Sequence, residues 1–371
     1  MRSSSSTPGS TMTQRCRIEY FLVKIMNMHE ILQQDPKIWD HFTRKEEYNS
    51  QIRDQYDRFP YYASKNRNIF EPKASQYLNE HGYSVGYPND APFAVCLTHD
   101  IDDIYQSILS KGFDTLRSLN QGNLSESLHS IPRMRSKKLP LFNFSAIMDL
   151  EEKYGVKSTF FFMAESPGEQ DYSYKIEEIE PEIGNIIDRG WEIGLHGGHT
   201  AYLNAQEIKI KKERLEKVTH KPVLGYRNHF LRFKVPDTWE YLSKAGFQYD
   251  ATLAYADCAG FRNGMCHPYR PFNLNTNHEI DILEIPLIVM DGTLDHNYMR
   301  LDGKSKWEFT KMLIDRVAAC HGVFTLLWHN SYMEGENREL YEKILEYCNE
   351  NKAWMTNGSN ICSLKGSNGY H

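Results

Sequence analysis

Seven short apolar runs, separated by stretches of helical spacing, restrict this chain to a small set of architectures. The runs are Phe93 to His99, Lys157 to Met163, Trp191 to His196, Pro222 to Arg227, Phe247 to Leu253, Glu284 to Met290 and Gly322 to His329. Several are continuously apolar, the pattern of parallel strands covered on both faces. Between them, Ala146 to Tyr154, Ile176 to Asp188, Ala205 to Val218, Thr238 to Ala245 and Trp307 to His321 carry apolar residues at helical intervals. Repeated strand–helix units specify a parallel sheet or a barrel, and the ionisable residues separate the two. Five of the seven runs lead into such residues at the same end: His99-Asp100-Ile101-Asp102, His196-Gly197-Gly198-His199, Arg227-Asn228-His229, Asp291 and His329-Asn330. Barrels gather their chemistry at the C-terminal ends of many strands, so a seven-stranded α/β barrel is the expected fold.

The 371 residues exceed what such a barrel needs. The barrel is expected over 91–335, preceded by a disordered tail at 1–15 and a mainly helical appendage at 16–90, with Ile18 to Leu32 and Lys73 to His81 as its helices. A C-terminal helix, Arg338 to Asn349, and a frayed tail occupy 336–371. Tyr105 to Leu141 is an insertion whose basic stretch, Arg133 to Lys138, reads as a solvated face at the barrel rim. A net charge of −6 argues against a nucleic-acid partner. No apolar run reaches the length of a membrane span. Seven cysteines without a CxxC pair suggest neither a zinc ribbon nor a complete disulfide framework. The first 14 residues contain no apolar signal segment, so a reducing, cytoplasmic setting is expected.

Three constellations carry the chemistry. Along an extended chain, Asp100 and Asp102 point to the same side. Carboxylates held that close raise each other's pKa unless a cation shares the site, so one fits a metal ligand and the other a base. Gly194 to Thr200 places His196 and His199 around two glycines, where backbone can approach a ligand closely. His329 ends the last run and lies beside Asp100 and Asp102 if the first and seventh strands are neighbours. Taken singly, each motif also fits a structural role; their convergence favours a site. Arg262, in the segment after the fifth strand, is a candidate contact for an anionic substrate group. Tyr226, Phe230, Tyr255 and Trp328 are candidate stacking faces for a sugar.

The ordered series THDIDD at 98–103, HGGH at 196–199, GYRNHF at 225–230, MDGTL at 290–294 and LLWH at 326–329 resembles the polysaccharide-deacetylase family of carbohydrate esterases, and the wording is closest to a branch associated with surface-polysaccharide biosynthesis. The resemblance spans roughly 90 to 330 and implies a distorted (β/α)7 barrel. It makes Asp100 the catalytic base, Asp102 and His196 metal ligands, Arg227 the partner of the base, His329 the catalytic acid and Asp291 its orienting carboxylate. Two departures stand out. Ile101 separates two acids that are usually adjacent, and Thr200 occupies the position of the usual second histidine. His199 is therefore the expected third ligand from a shifted loop, with His229 the alternative or a substrate contact. The implied cofactor is a divalent metal, zinc first and iron, cobalt, nickel or manganese next.

The resemblance implies hydrolysis of an N-acetyl or N-formyl group from an amino sugar. Without a visible export signal, a sugar nucleotide or other soluble precursor is the expected substrate. An amidohydrolase acting on a small non-sugar substrate and a non-catalytic carbohydrate-binding protein are the alternatives.

Overall fold

The computed structural model describes residues 27–107, 138–140, 142–295 and 297–364. The N-terminal tail and nearly all of the basic stretch lie outside the described residues. Nine strands form the main sheet: β1 (Ala94–Ile101), β2 (Thr159–Met163), β3 (Glu192–Gly197), β4 (Gly225–Asn228), β5 (Tyr249–Asp250), β6 (Leu283–Glu284), β7 (Val289–Met290), β8 (Val323–Leu327) and β9 (Trp354–Thr356). Their order is β6-β5-β4-β3-β2-β1-β8-β7, with β9 on β1, and every pairing is parallel.

The two ends of that order, β6 and β7, belong to one extended segment, 283–290. Its first half pairs with β5 and its second with β8. Ile285 donates to the Asp250 carbonyl at 2.8 Å and Ile288 to the Thr325 carbonyl at 3.1 Å, so the segment carries the curled sheet back onto itself. Pro286, which has no N–H to give, sits where the pairing changes sides. All seven expected strands are present, as a distorted barrel, and β1 and β8 are neighbours, with Ala94 opposite Val323 and Thr98 opposite Leu327.

Strand parity decides what faces the interior. Ala94 and Cys96 pack with Phe161, Tyr249, Ile285 and Val323 inside the barrel, whereas Val95 and Leu97 join the outer apolar cluster with the surrounding helices. Thr98 and Asp100 continue the interior series; His99 and Ile101 continue the outer one. The interior is filled by large side chains beside glycines. A Cβ on Gly225 would overlap the Tyr249 ring.

Helices Phe144–Glu152, Glu180–Asp188, Ala205–Thr219, Asp237–Lys244 and Gly303–Ala319 follow the expected stretches closely. The C-terminal region differs from expectation. Helix Gly335–Glu350 is followed by β9 and a short helix, Gly358–Cys362, rather than by a frayed tail up to residue 364. β9 adds to the lower half of β1, where β2 has not yet begun, and Ile361 enters the lower interior cluster. The N-terminal segment packs onto the same core through Ile31, Leu32, Phe42, Ala74 and Leu78, from helices Met28–Leu32, Pro36–Phe42 and Lys73–Glu80.

Candidate active site

At the C-terminal end of β1 the interior series ends in Asp100, which is almost fully buried. Its Oδ1 lies 3.3 Å from Arg227 Nε and its Oδ2 3.7 Å from His196 Nε2. Arg227, buried on β4, donates from Nη2 to Thr98 Oγ1 at 2.8 Å. Neither its Nε nor its Nη1 has a well-aligned acceptor. The guanidinium is therefore held as a charge beside Asp100 rather than saturated with hydrogen bonds.

His196, on β3, has Nδ1 3.0 Å from the Arg227 carbonyl. A carbonyl only accepts, so Nδ1 carries the hydrogen and Nε2 presents a lone pair. That lone pair faces Asp102 Oδ1 at 3.1 Å as well as Asp100. A lone pair against two carboxylates is repulsive unless a proton or a metal cation lies between them. Gly197 lets this turn form: a Cβ there would overlap the Tyr226 hydroxyl, and one on Gly198 would come within 2.6 Å of Glu165 Oε1.

His229 follows β4 and completes the group. Its Nε2 lies 3.6 Å from Asp102 Oδ2, and the ligand atoms of Asp102, His196 and His229 all fall within 4.8 Å of one another. Two imidazoles and one carboxylate form a donor set that suits a divalent transition ion. The local charge agrees. Asp100, Asp102, Asp171 and Asp291 converge on this end of the barrel. Desolvation opposes a charge on Asp102, yet His229 and His329 hold its carboxyl well below the usual range. Burial likewise opposes protonation of His229, but Asp102 and Asp171 push it up to about 9. Such proton demand reflects an excess of negative charge, which a metal ion would neutralise instead.

Across the mouth, His329 follows β8. Asp291, buried after β7, takes the His329 backbone N–H at 2.5 Å and faces its Nδ1 at 2.7 Å. This leaves Nε2 directed at Asp102 Oδ2, 3.6 Å away. Burial opposes charge on the ring, but Asp291 and then Asp102 push it up to about 10.

Four expected site residues are placed elsewhere. His199 is outside the three-residue group. Its carbonyl is held by Arg232 Nη1 at 2.6 Å, and its Nδ1 is 4.0 Å from Asp171. Tyr226 is fully buried, its hydroxyl donating to Asn228 Oδ1 at 2.6 Å. Trp328 is also buried, against Tyr341. Each precedes a site residue in an extended chain and so points to the opposite side. Arg262 is buried and engaged by Glu47, with Nε at 3.1 Å, and by the Ala254 carbonyl at 2.7 Å, so its charge serves the N-terminal segment's attachment. Of the other aromatic candidates, Phe230 borders the site but stacks on His229 and on Tyr56, with ring centroids 4.0 and 4.9 Å away. Tyr255 is buried near Arg44 and Arg262.

Sequence reasoning missed Asp171. It lies in the loop after β2, in the left-handed region at φ 65°, and its Oδ2 is 3.2 Å from His229 Nδ1. An aspartate in the Gly-containing loop between Met163 and Ile176, at the active end of a strand, was the available signal.

No protein-family model and no curated protein matches the sequence. Solved structures do. A Mycobacterium smegmatis protein described as a polysaccharide deacetylase superposes with a TM-score of 0.51 at 19% identity, over 75% of this chain and 91% of that one. The allantoinase Puue aligns over 84% of this chain and 96% of its own, with a TM-score of 0.48 and 16% identity. A CE4 family pseudoenzyme from Bacillus anthracis aligns over 75% and 68%, with a TM-score of 0.39 and 15% identity. The closed order of seven parallel strand positions and the first of these superpositions agree: the chain has the polysaccharide-deacetylase fold.

Proposed function

We propose that the chain is a metal-dependent hydrolase that removes an N-acyl group, acetyl or formyl, from an amino sugar. The observation that carries this reading is the pairing of two sets across one mouth: a buried carboxylate beside Arg227, and a histidine oriented by Asp291, on either side of the Asp102–His196–His229 group. A binding protein needs no base and acid so arranged.

Asp102, His196 and His229 would hold the ion. Bound there, a divalent metal would polarise the acyl carbonyl and make water acidic enough to attack near neutral pH. Asp100 takes the proton of the attacking water. Arg227, with Nε 3.3 Å from Oδ1, fixes where that carboxyl stands. Protonated His329, with Nδ1 fixed on Asp291, delivers a proton from Nε2 to the departing amine, which an amide cannot readily expel unaided. Among the described residues no helix is long and apolar enough to cross a membrane; a soluble substrate, including a nucleotide-linked one, is the first to test.

A second reading, hydrolysis of a small non-sugar amide, is favoured by the burial of Tyr226 and Trp328, which removes two sugar-stacking faces. One experiment addresses both. Purified protein is analysed for metal, loaded with zinc, cobalt or manganese, and assayed for acetate or formate release. The substrates are free and nucleotide-linked N-acyl amino sugars and simple N-acyl amines. About one metal per chain and release from the sugars is expected. Release from the simple amides alone would establish the second reading, and metal-free protein after loading would end both.

A further inference from the structure

We propose that Asp171 is a positioning residue that makes His229 the third protein ligand, and that the segment Asp171–Tyr174 sets the geometry of two of the three ligands. The inference rests on the metal-site reading above and extends it to residues that do not touch the metal.

His229 has two ring nitrogens with different surroundings. Nε2 faces Asp102 Oδ2 at 3.6 Å, and Nδ1 faces Asp171 Oδ2 at 3.2 Å on the opposite edge. A carboxylate beside Nδ1 keeps the hydrogen on that nitrogen and leaves the Nε2 lone pair for the ligand position. Second partners of this kind fix the tautomer and the ring plane, and their loss costs roughly 10–100-fold in metal affinity. His196 has the same arrangement with a different partner, the Arg227 carbonyl at its Nδ1. Each imidazole of the group thus has an oxygen beside its far edge: the Arg227 carbonyl accepts from His196, and Asp171 faces His229 as an ion pair whose alignment falls short of a hydrogen bond.

The same segment holds Asp102. Ser173 Oγ donates to the Asp102 carbonyl at 2.6 Å, and Tyr174 OH donates to the Ile101 carbonyl at 2.7 Å while accepting from the Met163 N–H at 2.9 Å. Tyr174 is buried, so these bonds tie the loop to the ends of β1 and β2. Asp171 reaches His229 with its own backbone at φ 65°, a conformation that costs free energy for a side-chain-bearing residue and that the surrounding contacts must hold. His199 lies beyond this carboxylate, 4.0 Å from Asp171 Oδ2, with its ring edge against Phe230 at a centroid distance of 5.4 Å. Asp171 therefore stands between the two histidines, and His229 is the one turned toward Asp102.

The test is cobalt(II) affinity, measured by competition with a chromophoric chelator, together with the visible absorption of the bound cobalt. Wild type, His229→Ala, His199→Ala, Asp171→Ala and Asp171→Asn are compared, each checked for an unchanged melting temperature. Asp171→Ala is expected to weaken binding about 10–100-fold and alter the cobalt spectrum. Asp171→Asn, whose Oδ1 can accept from Nδ1–H, recovers part of both. His199→Ala stays within about threefold of wild type, well inside that range. Wild-type affinity and spectrum in Asp171→Ala, with His229→Ala defective, overturn the positioning role alone. Wild-type binding in His229→Ala overturns the ligand assignment on which it rests, as does the absence of cobalt binding in wild type. Equal losses in Asp171→Ala and Asp171→Asn, with both melting temperatures lowered, reduce Asp171 to a structural residue and also overturn the proposal.

Discussion

His99 and Asp100 are consecutive residues of one strand, and they enter two buried polar clusters of opposite character. His99 points outward to Glu151, which lies 2.9 Å from its Nε2 and also accepts from Tyr341 at 2.7 Å, Ser158 at 2.9 Å and Trp191 at 2.5 Å. Both oxygens of Glu151 thus have a side-chain donor, Tyr341 on one and Ser158 and Trp191 on the other, while His99 is held between Glu151 and the Trp328 carbonyl. Asp100 points inward. Its Oδ1 has no well-aligned donor, and its Oδ2 looks at the His196 nitrogen that carries a lone pair. Burying a polar group without partners costs roughly 1–3 kcal/mol, more for a charge. A fold that satisfies Glu151 so fully and leaves Asp100 so poorly matched is spending stability at one end of β1 that it does not spend alongside it. Unmatched buried groups concentrate where a substrate or ion completes them.

The largest effect that would break this comparison is on turnover. Asp100→Asn keeps the side-chain shape and removes the base, so acyl release should fall by about 10³-fold, within the usual range for a positioned base. Because Asp100 contributes little satisfied bonding, the melting temperature should move by less than about 4 °C, on the order of 1 kcal/mol for a domain of this size. Normal turnover in the variant would remove Asp100 from the chemistry. A collapse in melting temperature would place it with Glu151 as a structural group.

Glu151→Gln is the reciprocal change. A glutamine must present its NH₂ either where the carboxylate accepted from Ser158 and Trp191 or where it accepted from Tyr341, so donor meets donor in a buried site. A loss of about 2–4 kcal/mol in unfolding free energy is expected. Metal affinity should be unchanged, since Glu151 lies on the outer side of β1. Denaturant unfolding and chelator competition on the same preparation separate the two effects. A stable variant with weakened metal binding would erase the distinction between the two faces of the strand.

Much of this division was legible in the sequence. Alternation along β1 separates Asp100 and Asp102 from His99, and the ends of five apolar runs marked the chemical end of the barrel before any contact was known. The same rule, applied one residue earlier, would have removed Tyr226 and Trp328, which precede Arg227 and His329 and therefore face away. Other parts were not local enough to read. In the proposed site the preference for His229 over His199 rests on where Asp171 and Arg232 lie, and both meet their neighbours across long sequence separations. Arg262 reads as an exposed loop cation until Glu47 is brought to it from the N-terminal segment. β9, three residues long, has too few positions for a period and is defined by the vacant lower edge of β1.

The smallest effect concerns a third buried acidic group, which lies between those extremes. Asp250 on β5 and Glu284 on β6 stand opposite each other in the buried strand layer, and their carboxyls interact electrostatically. Trp239 Nε1 donates to Glu284 at 2.7 Å and Thr252 Oγ1 to Asp250 at 2.5 Å. Burial raises both carboxyls above their ordinary values; for Glu284 the neighbouring Asp250 adds to the shift, while for Asp250 the nearby Arg227 opposes it. The folded protein therefore holds a proton here that the unfolded chain releases at lower pH. More protons bound in the folded state means that this pair's contribution to stability falls as pH rises above about 4. In Asp250→Asn the amide nitrogen can donate permanently to Glu284, replacing the shared proton. Between pH 5 and pH 8 the variant should lose less stability than wild type, by about 1.4 kcal/mol for each pH unit over which the proton stays bound. Parallel pH profiles of unfolding free energy would show that the pair is ionised in the fold. It would then belong with Asp100, as charge the structure tolerates for its site, and not with Glu151.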